Sequence, residues 1–536
     1  MIRQDWDVIV VGTGIGGAVF GHSLARRGWR VLFCEAGRSP KQENAITGTY
    51  PELLEANPEV PNPENWLARA GRCHIPLLDV SLKHPRSFVP FVGFGVGGSS
   101  ALFGMAMERF FPADFERSAA LGADGLAASE GWPVNYEEMA PFYTAAEKLF
   151  RVRGGADPLR PVGESRGLTG QGPGLTESAR DLAKFASARG LHPYQLPLAC
   201  EFVEGCSTCQ GYLCQKDCKN DAGRICIEPA VASFGAELLT NCRATLLEAD
   251  GSRVTGVLVR HFGQTFRLKA QHVVLAAGAL HSPEILLRSA SGDWPHGLAN
   301  RSGMVGRNLM RHLIDLYVIK AQMVAGTTQM DNSRKELAFN DLYVREGLGS
   351  VQSFGRLPPP QMILADMKRE LRSSAASWVV PLLSVAGPFI RPVLRSMFAD
   401  SLILAATLPD SAHPDNRVGP ALDSGLGVRL TYRPRPEDLV RLRRFRERMR
   451  EILHGLRWRR LAQAENNERI AHVCGTCRFG NDPQNSVLDR WNKAHDLANL
   501  HVVDASFFPS SGGTNPSLTI AANALRVASA WPDPQP

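Results

Sequence analysis

Six residues near the start of the chain restrict the fold more than any other feature. Gly12-Thr13-Gly14-Ile15-Gly16-Gly17 reads G-x-G-x-x-G. It follows the apolar run Trp6–Val11 and opens a helical pattern from Gly16 to Arg27. A glycine motif in that position belongs to a buried parallel strand, a tight turn and a helix. Gly12 permits the turn, Gly14 lets the backbone approach a phosphate, and Gly17 lets helix and strand pack closely. Thr13 lies between them and is included in the expected nucleotide contact. The helix N-terminus offers unpaired N–H groups and partial positive charge to a pyrophosphate. Gly28 ends the helix, and Arg30–Glu35 makes the next strand of a βαβ unit. Glu35, with Ala36 beyond it, stands where a carboxylate accepts from ribose hydroxyls. The motif predicts a bound dinucleotide without saying which one.

The rest of the chain returns to this unit. Buried-strand patterns recur at His272–Ala277 and Leu500–Val503, each followed by small residues and a helix-like run. One α/β domain is thus expected from the beginning, middle and end of the 536 residues: 1–150, 200–310 and 465–536. Residues 151–199 and 311–464 make a second unit. There Leu402–Leu408 and Gly427–Tyr432 mix with helical stretches, which predicts an antiparallel sheet covered by helices. Dense prolines and glycines at 155–175 predict a surface excursion. In the arginine-rich segment Arg441–Arg460, the apolar residues Leu442, Phe445, Met449, Ile452 and Leu456 recur at helical spacing. A helix with a solvated charged face is expected there. Trp378–Ile390 is strongly apolar and interrupted by Pro381 and Pro388. It is expected to be a core element or an active-site cover; peripheral membrane contact or a lipophilic-substrate entrance is the other reading.

Composition excludes several classes. The chain is 44% hydrophobic and 21% charged, ordinary for a soluble globular protein. The formal net charge of +7 is spread along the chain, and no basic run interleaves with aromatics, so no nucleic-acid partner is expected. No stretch reaches the roughly 18 uninterrupted apolar residues a membrane span needs. The first strand begins almost at the initiator Met, and the 11 cysteines are an odd number. Both features lead us to expect a cytoplasmic protein.

Three further segments carry a family resemblance. Gly95-Val96-Gly97-Gly98-Ser99-Ser100-Ala101-Leu102-Phe103-Gly104-Met105 resembles the first signature of the glucose–methanol–choline (GMC) oxidoreductases. Ala277-Gly278-Ala279-Leu280-His281-Ser282-Pro283-Glu284-Ile285-Leu286-Leu287 resembles their second signature. His472-Val473-Cys474-Gly475-Thr476, then Val502-Val503-Asp504-Ala505-Ser506 and Gly513-Thr514-Asn515-Pro516-Ser517, resembles their C-terminal block. Trp132-Pro133 with Tyr136, and Val305-Gly306-Arg307-Asn308-Leu309, add to it. The resemblance runs from residue 6 to 528 in the family's order. It implies an α/β fold with a discontinuous Rossmann-like FAD-binding domain and a substrate domain built on an antiparallel sheet. It also implies FAD as the dinucleotide.

The resemblance assigns roles that the residues' chemistry suits. Oxidising an alcohol at a flavin removes a hydride from carbon and a proton from oxygen. A histidine suits that proton because its ordinary pKa lies near neutrality. His472 matches the family's catalytic histidine. Asn515 matches its partner, and a carboxamide holds a substrate oxygen without changing charge. Asp504, Ala505, Asn515 and Pro516 are expected beside the flavin. Gly97, Gly98 and Gly104 let backbone lie against it, and Ala244 belongs to the expected adenine-contacting segment. Some relatives tether FAD through a histidine in the first signature; Leu102 stands there, so non-covalent FAD is expected. Many relatives also carry asparagine where this chain has Phe103. His281 and His312 are read as structural.

Six cysteines lie between Cys200 and Cys226. Cys209, Cys214 and Cys218 match the Cys-x4-Cys-x3-Cys spacing with which some flavin sugar dehydrogenases of this family hold an iron–sulfur cluster. Zinc, local disulfides and free thiols are the alternatives, and the cluster is not the favoured reading. The expected partners are a small-molecule alcohol, with a hydrophobic one hinted at, and an electron acceptor: a quinone, a cytochrome or oxygen. Dehydrogenase is preferred over oxidase because of the cysteines. The family also contains lyases and a fatty-acid photodecarboxylase, which makes non-redox or photochemical use of the scaffold the competing reading.

Overall fold

The computed structural model describes residues 5–54, 63–116, 131–320, 334–355, 378–398, 401–421 and 427–534, apart from 162, 165, 166 and 207, and also 358–360, 362–364, 368 and 371. Positions 162, 165 and 166 of the 155–175 excursion lie outside the described residues.

The fold is mixed α/β. Strand β1 (Asp5–Val11) leads through the glycine turn into helix α1 (Ile15–Ala25) and back to β2 (Val31–Cys34). β1 and β2 pair in parallel, Val8 with Val31 through Val11 with Cys34. Val8, Ile9 and Val10 have no exposed surface, which is why the run is apolar throughout rather than alternating. β3 (Glu237–Leu239) extends the sheet beyond β2. β4 (Cys242–Asp250) and β5 (Arg253–His261) form an antiparallel ribbon that runs into β6 (Gln264–Leu275). The second half of β6 pairs in parallel with β1 on one side and with the short strand Leu500–Val502 on the other. Helix α2 (Gly278–Arg288) follows β6 directly.

The second sheet has six strands, all antiparallel, in the order Trp458–Leu461, β7 (His312–Lys320), β8 (Ser401–Pro409), Ser350–Ser353, Leu337–Phe339, Tyr194–Gln195. One face packs against the helix Pro436–Ile452 through Leu442, Phe445 and Met449. That helix is shorter than the expected arginine-rich one, because Trp458–Leu461 turns into the edge strand instead. Gly427–Thr431 belongs to neither large sheet. It pairs with Leu77–Asp79, which pairs with Arg86–Phe88, so the N-terminal segment shares a small sheet with the later part of the chain.

The apolar stretch after Trp378 corrects an expectation. Val379–Phe398 is a continuous helix that carries Pro381 and Pro388 within it. Trp378, Leu382, Val385, Phe389 and Val393 are exposed along one face, so the segment is not a core element. Among the described residues no helix is long and apolar enough to cross a membrane.

Candidate active site

The glycine turns converge on one edge of the parallel sheet. Gly12 has φ 101°, and a Cβ there would lie 2.4 Å from Ala276 O. A Cβ on Gly17 would meet Gly12 O at 2.4 Å and Ala276 Cβ at 2.7 Å, the close helix–strand packing the motif predicts. Beside Gly14 there is open space: nothing lies within 4 Å of where a Cβ would be. Thr13 joins the neighbouring pieces. Its hydroxyl donates to a Glu35 carboxylate oxygen at 2.6 Å, and Gly97 N donates to that hydroxyl at 3.3 Å. Glu35 also accepts from Thr13 N at 3.1 Å and Gly37 N at 2.9 Å. Oε2 takes both Thr13 bonds and Oε1 only the Gly37 bond, so Oε1 keeps a lone pair.

The first signature closes over the turn. Gly97 and Gly98 have φ of 92° and 54°, and a Cβ on Gly98 would sit 2.9 Å from Gly14 Cα. Asp504 stands behind both loops. It accepts from Gly278 N at 2.9 Å and Ser506 N at 2.9 Å, and from the Ser282 hydroxyl. Burial raises its pKa, and those hydrogen bonds oppose the shift. Ala244 lies in β4, two residues past Cys242, whose N–H donates to Glu35 O at 2.8 Å.

His472 and Asn515 come together, as expected. Asn515 Nδ2 and His472 Nε2 are 3.4 Å apart, and Asn515 Oδ1 is buried without a hydrogen-bond partner. His472 has φ 55°, a left-handed conformation unusual for a residue with a side chain. Neighbouring bonds hold it there: Cys474 and Met310 exchange backbone hydrogen bonds at 3.0 Å, and Gly475 N donates to Ala505 O at 3.1 Å. Pro516 caps the helix Ser517–Ser529 immediately after Asn515.

His312 corrects a second expectation. At the start of β7, its Nδ1 lies 2.8 Å from His472 Nδ1. Its Nε2 faces Ser511 O and Gly512 O, each at 3.1 Å. Carbonyl oxygens only accept, so Nε2 carries the hydrogen. Burial lowers the His312 pKa to about 4, so the ring is neutral and its Nδ1 is bare. That bare nitrogen must accept from His472 Nδ1–H. The network thereby assigns the His472 tautomer and leaves its Nε2 as an acceptor, toward which Asn515 Nδ2 donates at 3.4 Å. Burial, with the Lys335 charge adding to it, pushes the His472 pKa well below its ordinary value. His281 keeps its structural reading, 3.4 Å from Glu284.

The cysteines gather, but around a different trio from the Cys209, Cys214 and Cys218 of the spacing motif. Cys200, Cys206 and Cys218 have sulfurs all within 4.8 Å of one another. Cys206 and Cys218 are 3.2 Å apart, Cys200 and Cys206 3.7 Å, and Cys214 and Cys218 3.5 Å. Cys209 approaches Cys214 rather than the triad. Cys200 was missed because it lies outside the spacing motif. All of these thiols are free. Buried Lys219 lies next to Cys218 and donates to Ala101 O at 2.8 Å, which ties this loop to the first signature.

Comparison with known proteins agrees with this arrangement. A family model described as GMC oxidoreductase matches residues 6–314, and its C-terminal counterpart matches 422–524. Paromamine 6'-oxidase of Streptomyces fradiae is 30% identical, over 98% of this chain and 91% of that protein. The 2-methyl-1,2-propanediol dehydrogenase of Mycolicibacterium austroafricanum is 25% identical, over 97% and 94%. The crystal structure of pyridoxine 4-oxidase from Mesorbium loti superposes with a TM-score of 0.63 at 23% identity, covering 98% of each chain. The chain belongs to the GMC oxidoreductase family of FAD-binding enzymes.

Proposed function

We propose that this protein oxidises an alcohol to a carbonyl with His472 as the base, and passes the electrons to an external acceptor. The residues fit a non-covalently held FAD. The open space at Gly14, the approach of Gly98 and the unpartnered Asn515 Oδ1 support this fit. Gly12, Thr13, Gly14 and Gly17 would hold the pyrophosphate at the α1 N-terminus, and Glu35 with Ala36 the ribose. Ala244 would lie toward the adenine. Gly97, Gly98, Gly104, Asp504, Ala505 and Pro516 would frame the rest. Leu102 offers no nucleophile for a covalent tether. When bound, FAD supplies the acceptor for the hydride.

The chain's own part is to hold the alcohol and take its proton. His472 Nε2 accepts the hydroxyl proton while Asn515 fixes the same oxygen through its amide. Because Nδ1 is already committed to His312, only Nε2 is free to take that proton. The single observation that carries this reading is the 2.8 Å contact between the two Nδ1 atoms. The test is His472→Ala. We expect bound FAD to be retained and its anaerobic bleaching by an active alcohol to slow by roughly 10²–10⁴-fold. Bleaching at the parent rate would remove His472 as the base.

Paromamine 6'-oxidase and 2-methyl-1,2-propanediol dehydrogenase carry both kinds of name, so the acceptor is argued from the cysteine loop. Cys200, Cys206, Cys214 and Cys218 would hold an iron–sulfur cluster or one zinc ion. A tetrahedral zinc site with 2.3 Å bonds needs sulfurs about 3.8 Å apart, which Cys200, Cys206 and Cys218 approach while Cys214 is close to Cys218 but outside that group, whereas a cluster spreads thiolates over several irons. A cluster there would supply a relay beside the flavin site.

A further inference from the structure

Among the described residues, one buried cation near the reaction site has no polar partner. Lys335 is 8% exposed and lies just before the strand Leu337–Phe339. Its stem runs against the first-signature loop: a Cβ on Gly104 would be 3.1 Å from Lys335 Cδ. Its charge is near enough to His472 to disfavour the protonated ring. Among the described residues, its ammonium has no hydrogen bond and no ion pair. The nearest acid is Glu108, which is occupied by the Tyr194 hydroxyl and pushed toward its neutral form by burial. Tyr194 in turn accepts from Asn340 Nδ2 at 2.8 Å, and Asn340 donates to Asp157 at 2.9 Å. None of these hydrogen bonds involves Lys335, although Asn340 Oδ1 is itself left without a partner.

A buried, unpaired ammonium is unfavourable unless something completes it. Burial lowers the Lys335 pKa to about 8, with Glu108 opposing the shift, so the group is still charged at neutral pH. No described residue completes it, so a bound group that accepts hydrogen bonds would. We propose that Lys335 is a specificity-determining residue that recognises an anionic group, such as a carboxylate, on the alcohol substrate and disfavours substrates carrying an ammonium. The proposal rests on reading His472 as the base that faces the substrate. A charge-assisted hydrogen bond to the substrate serves both affinity and orientation.

The test separates recognition from oxidation. Two ligands without a hydroxyl, 4-methylbenzoate and 4-methylbenzylamine, share size and shape and differ in charge. Their binding to the FAD-loaded enzyme is read from the flavin difference spectrum at neutral pH. We expect the carboxylate to bind at least tenfold more tightly than the amine. K335M should remove that preference, and K335R, which restores the charge, should restore it. A carboxylate that binds no better than the amine, or a preference that survives K335M, overturns the proposal. Flavin bleaching by alcohols tests the His472 reading separately, because neither ligand can be oxidised at a hydroxyl.

Discussion

His472 pairs a left-handed backbone with a fixed proton. Holding a side-chain-bearing residue at φ 55° is worth about 1–3 kcal/mol of strain, which the bonds at Cys474 and Gly475 must offset. Substituting His312 tests the tautomer argument without touching the base. His312→Phe keeps ring volume and removes the acceptor for His472 Nδ1–H. Alcohol-driven flavin bleaching should slow by roughly ten- to a hundredfold, the loss of one buried hydrogen bond, while bound FAD is unchanged. An unaltered rate would mean that His312 does not set the tautomer. The pH profile follows from the lowered His472 pKa. A base must be unprotonated, and one whose pKa lies below 6.5 stays so as the pH falls through that value. The bleaching rate should therefore hold steady through pH 6.5 and decline only at lower pH; a decline centred near 6.5 would contradict the assignment. His472 and Asn515 were legible because their motifs are contiguous. His312 was not, because 160 residues separate it from His472 and nothing local marks it. Lys335 carried no motif at all.

Elements were legible where burial is uniform. β1 and β2 are apolar throughout because both faces are covered, and a run of that kind reads the same in sequence and structure. β6 was only half seen. Its first half belongs to an exposed antiparallel ribbon, with Gln264, Thr265 and Arg267 exposed, so its polar pattern hid the strand. The arginine-rich segment was read as one helix because the apolar spacing continues to Leu456. Trp458–Leu461 nevertheless leaves it to pair with β7, a long-range contact that local periodicity does not report. The exposed helix Val379–Phe398 broke the rule that apolar stretches are buried. Phe389 is 78% exposed, so Phe389→Asp removes no packing. Thermal unfolding should change by no more than about 0.5 kcal/mol, and the protein should be less prone to aggregate. A loss of several kcal/mol would show that the face is covered in solution.

At the scale of the whole molecule, the bound groups are the first thing to measure. Acid precipitation of the purified protein should release all the yellow colour, since Leu102 cannot tether a flavin. Metal analysis of the same sample discriminates the cysteine readings. Iron with absorbance beyond the flavin bands would favour the relay and a dehydrogenase. Zinc, or neither metal, would leave the thiols structural and remove the relay. The family and its overall architecture were legible because the motifs keep one order along the chain. The sharing of a small sheet between residues 77–88 and 417–431 was not, because those strands are short and their partners lie in distant segments.

The parallel sheet takes its strands from the first, middle and final stretches of the chain, with Leu500 seated beside Val273. During synthesis, an emerging polypeptide would carry β6 with a raw edge until Leu500–Val502 had left the ribosome. No portion that lacks Leu500–Val502 completes this sheet. A fusion tag or truncation at the tail would therefore damage yield of the holoprotein more than the same change in a surface loop.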